Sequence, residues 1–149
     1  MDGLREDIAW VLSRFPIRLS ALESQVKEFS IKIVTQSQYQ PDQSSPSEGR
    51  YVFAYTVTIE NQGEEPARLL DRHWIITDAD GQAQEVRGQG VVGEQPHLRP
   101  GERYQYTSGT VLSTPLGSMH GSYGMVDDDG LRFEARIPAF SLISTTSIH

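Results

Sequence analysis

Arg87-Gly88-Gln89-Gly90-Val91-Val92-Gly93-Glu94-Gln95-Pro96 decides between two fold classes. Its glycines stand at G-x-G-x-x-G spacing. In a dinucleotide-binding α/β fold, that pattern closes a parallel strand and opens a helix whose N-terminus holds the pyrophosphate. Here Gly93 is followed by Glu94-Gln95-Pro96-His97-Leu98-Arg99-Pro100-Gly101. Two prolines and a glycine in that span prevent such a helix. No Gly-Lys-Ser/Thr follows, so the Walker pattern fails as well. The glycines then serve positive φ, a bulge or a close strand crossing. Binding of a small anion through exposed backbone amides stays open.

The flanking segments read as strands. Tyr51, Phe53, Tyr55, Val57 and Ile59 alternate along 51–60, and all are aromatic or β-branched. Asn61-Gln62-Gly63-Glu64-Glu65-Pro66 turns the chain. Ala67 to Asp78 follows with Leu70, Trp74 and Ile76 on a common side. Asp78-Ala79-Asp80-Gly81 predicts a tight hairpin turn, and Gln82 to Arg87 returns as the partner strand. Before these, Phe29, Ile31 and Ile33 alternate with polar residues, and 40–49 is a polar surface loop. Beyond the glycines, Leu98-Arg99-Pro100-Gly101-Glu102 is a turn and Tyr104, Tyr106 and Ser108 alternate. Thr114-Pro115-Leu116-Gly117 breaks the pattern. Tyr123 to Val126 reads as a short strand, Asp127-Asp128-Asp129-Gly130 as a turn, and Leu131, Phe133 and Ala135 as the last clear strand, with Phe140 and Leu142 extending it. Seven or so short strands separated by turn signals predict an all-β fold. The arrangement is an antiparallel β-sandwich of the immunoglobulin or fibronectin type III kind, with a closed barrel as competitor.

Residues 1–24 carry a different period. Leu4, Ile8, Val11, Leu12 and Phe15 recur at helical spacing until Pro16, so a short N-terminal extension, helical or disordered, precedes a domain over 25–149.

The chain has 149 residues, 37% hydrophobic and 9% aromatic, enough for one core. It carries no apolar run near the ~20 residues of a membrane span and no secretory signal pattern, which points to a cytoplasmic protein without membrane insertion. There is no cysteine, so disulfides, thiolate metal sites and cysteine catalysis are excluded. The formal charge of -7, from 20 acidic and 13 basic residues, weighs against nucleic-acid binding.

Asp127-Asp128-Asp129 and Asp78/Asp80 offer oxygen ligands, but the EF-hand template fails at both and hairpin geometry accounts for them. His73, His97, His120 and His149 form no close spaced pair. His97 and His120 read as loop residues that would have to meet in space to share a metal. No G-x-S-x-G elbow is present, and neither Ser108 nor Ser118 has a base at recognisable spacing.

Five segments together resemble the ApaG family, also called CorD: YVFAYTVTIEN (51–61), RHWIITDADG (72–81), VRGQGVVGEQPHLRPGERYQYTSG (86–109), TPLGSMHGSYGM (114–125) and IPAFSL (137–142). The resemblance covers about Val26 to His149 and implies a fibronectin type III-like sandwich. It also implies a bacterial cytoplasmic protein linked genetically to cobalt and magnesium efflux or tolerance, whose gene often neighbours one for diadenosine tetraphosphate hydrolysis. Similar domains in a eukaryotic F-box protein and a polymerase-delta-interacting protein imply a protein-interaction role. The family's glycine motif matches Gly88, Gly90 and Gly93, and no catalytic residues carry over.

The expected function is therefore a non-enzymatic binding module without cofactor or metal. An unidentified protein partner would meet Arg72, Arg87, Gly88, Gln89, Gly90 and Gly93. The alternative is a binder or cryptic hydrolase of pyrophosphate- or nucleotide-type ligands at the glycine loop, with Mg²⁺ as an optional companion. Homodimerisation is left open.

Overall fold

A computed structural model of the chain describes residues 27–144. The N-terminal extension expected over 1–24 lies outside the described residues, as does His149. Among the described residues eight strands run β1 (Ile31–Tyr39), β2 (Tyr51–Asn61), β3 (Ala67–Asp78), β4 (Ala83–Gln89), β5 (His97–Leu98), β6 (Arg103–Leu112), β7 (Leu116–Asp127) and β8 (Arg132–Ile143). The only helical turns among the described residues are short 3-10 pieces at Pro41–Gln43 and Pro46–Glu48.

All pairings are antiparallel. A three-stranded sheet, β1-β2-β6, faces a five-stranded sheet, β4-β3-β7-β8, with β5 added beside β3. This is the expected sandwich. Tyr55, Val57 and Ile59 of β2 pack against Trp74 and Ile76 of β3, Met119 and Tyr123 of β7, and Ile137 and Leu142 of β8. Each fully buried aliphatic or aromatic side chain in that layer contributes about 1.5–3 kcal/mol relative to exposure. Trp74 is the hub: its ring meets Tyr55, Tyr123 and Phe140 edge-on, with centroids 5.4, 6.3 and 5.9 Å away.

Two details differ from the sequence reading, and a third explains the expected extension to Phe140 and Leu142. Leu70 does not share the inner face with Trp74. A bulge between Leu69 and Asp71 shifts the register, so Leu69, Arg72, Trp74 and Ile76 point inward. The stretch 116–127 is one continuous strand, interrupted in pattern by Gly117, Gly121 and Gly124. Gly117 and Gly121 are steric necessities: a Cβ on Gly117 would lie 2.6 Å from the Thr77 carbonyl oxygen and one on Gly121 2.0 Å from that of His73. Finally, β8 passes through Pro138 because the register shifts opposite Met119/Gly121, a bulge that accommodates a residue without an N–H.

Candidate functional site

The glycine stretch is a small hairpin hung on the edge of the five-stranded sheet. Gly88 and Gln89 still belong to β4. Gly90, at φ +65°, donates its N–H to Leu70 O (2.8 Å). A Cβ there would lie 2.5 Å from Glu94 O, so only glycine fits. Val91 and Glu94 exchange two backbone bonds of 2.8 and 2.9 Å around Val92 (φ +43°) and Gly93 (φ +81°). Two successive positive φ values are the signature of a type I′ turn, unusual for a β-branched residue. The Val91 side chain is wholly buried in the core while Val92 stands 57% exposed at the tip.

The hairpin is held through its carbonyls. Arg72 Nη1 donates to Gln89 O and Gly90 O, both at 2.9 Å, with its guanidinium lying directly over Gly88. Arg68 Nη1 donates to Gln95 O (2.7 Å), and Gln95 Nε2 to Leu70 O (2.8 Å). Three loop amides, those of Gly90, Val91 and Glu94, are already committed within the protein. A phosphate nest needs convergent free amides, and the required helix after Gly93 is replaced by an extended run into β5.

Beside the hairpin, on the outer face of the same sheet, lies a furrow. One depression of about 350 Å³ is lined by Asp71, Arg72, His73, Arg87, Gly88, Gln89, Ser122, Gly124 and Glu134. A second, of about 380 Å³, shares Asp71, Arg87, Gly124 and Glu134 and continues to Arg132 and Phe133. The floor is low because Gly124 has no side chain: the Asp71 carboxylate lies across its Cα, where a Cβ would sit 2.1 Å from Oδ1. Of the residues expected from sequence, Arg87 and Gln89 lie on the outer face in this furrow, and Arg72 and Gly88 border it while the Arg72 guanidinium turns to the inner side over Gly88. Gly90 is joined to it through Arg72. Gly93 stands apart at the hairpin tip, where an added Cβ would meet no atom within 4 Å. Asp71, Ser122, Gly124, Arg132 and Glu134 were not foreseen; the Arg132/Glu134/Arg136 alternation was the only available signal.

The electrostatics of this face are two-signed. Glu85 Oε1 receives both His73 Nε2 (2.6 Å) and Arg87 Nη2 (2.9 Å), and the His73 bond first, then the Arg87 bond, holds its carboxyl below the ordinary carboxylate value. Arg132 and Arg136 form no ion pair among the described residues. Beneath the furrow, the Tyr106 and Tyr123 hydroxyls are hydrogen-bonded to each other across the two sheets. Burial pushes both phenols above their ordinary value, with Arg72 nearby acting in the opposite sense.

The acidic runs and histidines resolve into local structure. Asp127 Oδ1 accepts the amides of Asp129 (3.0 Å) and Leu131 (2.8 Å), and Lys27 Nζ reaches Asp127 (2.6 Å) and Asp129 (2.5 Å). The Lys27 bond is the main cause of the lowered Asp127 pKa. Asp78 Oδ1 likewise accepts the amides of Asp80 and Gln82, each at 2.9 Å. His97 and His120 are strand residues rather than loop residues, in β5 and β7. Their partners on β3, Arg68 and Ile75, are about 20 Å apart along the strand, so they share no site. His97 Nε2 is instead bonded to Asp128 Oδ1 at 2.8 Å.

Comparison with known proteins places these features in one family. The ApaG domain matches residues 41–127. Protein ApaG of Pseudomonas aeruginosa is 57% identical over 122 residues, covering 82% of this chain and 97% of that protein. Protein ApaG of Dechloromonas aromatica is 53% identical over 126 residues, covering 85% and 99%. A crystal structure of a Bordetella pertussis protein named ApaA superposes with a TM-score of 0.76 at 51% identity, over 79% of this chain and 96% of that one.

Proposed function

This chain belongs to the ApaG domain family, and from that premise we propose that it is a non-enzymatic protein-interaction module. Its partner affects cobalt and magnesium efflux or tolerance, so the module acts on a transporter or regulator that it engages. The observation supporting this reading is the furrow across β4, β3, β7 and β8, with Arg87 and Arg132 at its ends and Asp71 and Glu134 between them. Such a shallow, two-signed surface suits an extended polypeptide better than a small molecule, which wants an enclosed and mostly apolar pocket. The fitting segment carries a carboxylate for the Arg132 guanidinium and amide or ammonium donors for Asp71 and Glu134. Arg72 works indirectly, by fixing the carbonyls of Gln89 and Gly90 at the furrow rim.

The test is site-specific photocrosslinking in living cells, with the photoreactive residue at Gln89 in the furrow or at Thr107 on the opposite outer face. One protein adduct from position 89, absent from position 107 and lost with Arg132→Glu, is the expected result. Equal adducts from both positions, or none from 89, would overturn it. An amide titration with pyrophosphate and Mg²⁺ discriminates the ligand-binding alternative: saturable shifts confined to residues 88–93 would transfer the site to a phosphate ligand.

A further inference from the structure

The outer edge of β4 carries a self-complementary pattern that the partner reading does not use. β4 has β3 on one side and, among the described residues, no strand on the other. Open edges are normally protected by proline, lysine, a bulge or a covering element. The edge strand β8 has Pro138 and a bulge, and β1 lies beside it, Ser37 Oγ donating to Ser141 O at 2.8 Å. β4, Ala-Gln-Glu-Val-Arg-Gly-Gln, has no proline, no lysine and an unbroken register against β3.

The direction of its free backbone groups follows from the ladder. In an antiparallel pair, hydrogen-bonded and non-hydrogen-bonded residue pairs alternate. Asp78 donates to Gln82 O at one end (2.9 Å) and Gly90 to Leu70 O at the other (2.8 Å), with continuous register between. The even-numbered residues of β4 therefore bond to β3. Ala83, Glu85 and Arg87 turn their N–H and C=O groups to the open side, while the Gln89 carbonyl is taken by Arg72.

We propose that two copies of this chain associate by antiparallel pairing of β4 with β4 about a two-fold axis at Val86. That axis sets Glu85 opposite the partner subunit's Arg87 and Arg87 opposite the partner subunit's Glu85, each as a hydrogen-bonded backbone pair with opposite charges on the outer face. Axes at Glu85 or at Arg87 would oppose like charges, which destabilises a cross-strand pair. Val86, on the inner side and 37% exposed, meets its own copy at the axis, where non-hydrogen-bonded pairs bring side chains closest. The interface is isologous, so it closes at two subunits and leaves no β4 edge for further growth. It joins two furrows into one continuous charged face and stands independently of what that face binds.

The test combines sedimentation equilibrium of the full chain, from low micromolar to near-millimolar concentration, with hydrogen exchange of backbone amides. A concentration-dependent doubling of mass is expected, with the Glu85 and Arg87 amides becoming protected as the dimer fills. Glu85→Arg and Arg87→Glu each weaken association about tenfold or more at low salt. The double variant, E85R with R87E, restores it, because the pairs are re-formed with reversed signs. Val86→Lys, which places two ammonium groups at the axis, produces the same loss of association should a charge swap disturb folding. A monomer throughout the range would overturn the proposal. So would a dimer whose Glu85 and Arg87 amides exchange freely, or one that the double swap fails to restore.

Discussion

The two outer faces of the sandwich are built on opposite terms. The three-stranded sheet presents Thr56, Thr58, Gln105 and Thr107, whose polar groups satisfy one another across strands: Thr56 Oγ1 lies 2.8 Å from Thr107 Oγ1, and Gln105 Nε2 donates to Thr58 Oγ1 at 3.0 Å. Charge is confined to one end, where Arg103 approaches Glu60 at 3.4 Å. The five-stranded sheet presents arginines, carboxylates and bare glycine backbone, and leaves Arg132 and Arg136 without ion pairs among the described residues. A face that completes its own hydrogen bonds offers little to a partner. A face with unspent guanidinium donors in a furrow has recognition chemistry left over.

The contrast is tested most severely at its glycines. Gly121→Ala drives a methyl group toward the His73 carbonyl, a backbone atom that cannot swing aside. It should cost about 3 kcal/mol in chemical denaturation. Gly109→Ala on the neutral face, where the nearest atom is Phe53 O at 3.4 Å, should change stability by about 0.5 kcal/mol or less. Next in size, Arg72→Met removes two charge-assisted bonds to the hairpin. A loss of about 2 kcal/mol is expected, with faster exchange of the Gly90 amide, while Gln105→Met on the other face should leave that amide unchanged.

Val92→Asn tests the hairpin in the stabilising direction. Asparagine tolerates the left-handed conformation that valine adopts at φ +43°, so a gain of about 1 kcal/mol is expected in thermal or urea unfolding. The smallest effect is in acid. Glu85 has a folded pKa below its ordinary 4.5. Its contribution to stability is therefore complete above that ordinary value and is lost as pH falls through the lower folded one. Glu85→Gln should flatten this limb of a stability-against-pH curve. Thr56→Val, on the uncharged face, should leave its slope as it was.

The strands that alternate strictly are legible without coordinates. Tyr51 to Ile59 needs only its period, and Asp78-Ala79-Asp80-Gly81 only the chemistry of its turn. Sequence pattern starts the strand only at Tyr123 because Thr114-Pro115-Leu116-Gly117 reads as a break, when Gly117 and Gly121 are strand positions where a neighbouring strand passes too close for a Cβ. The same pattern puts Leu70 on the wrong face because a bulge adds a residue without leaving a mark in hydrophobic spacing. In the furrow, Arg87 and Gln89 are visible as neighbours of the glycines. Asp71, Gly124 and Glu134 are not, since each comes from a different strand.

The amino-acid sequence by itself determined the all-β class, the turn positions, the family resemblance and the exclusion of a dinucleotide-binding helix after Gly93. These depend on local period, proline and glycine, which act within a few residues. Only the tertiary structure decided that Arg72 grips the hairpin's carbonyls, that Asp71 lies across Gly124 and that the open backbone groups of β4 belong to Glu85 and Arg87. Those facts depend on cross-strand register, which is set by pairing between segments as distant as Asp71 and Gly124, and no local pattern encodes it.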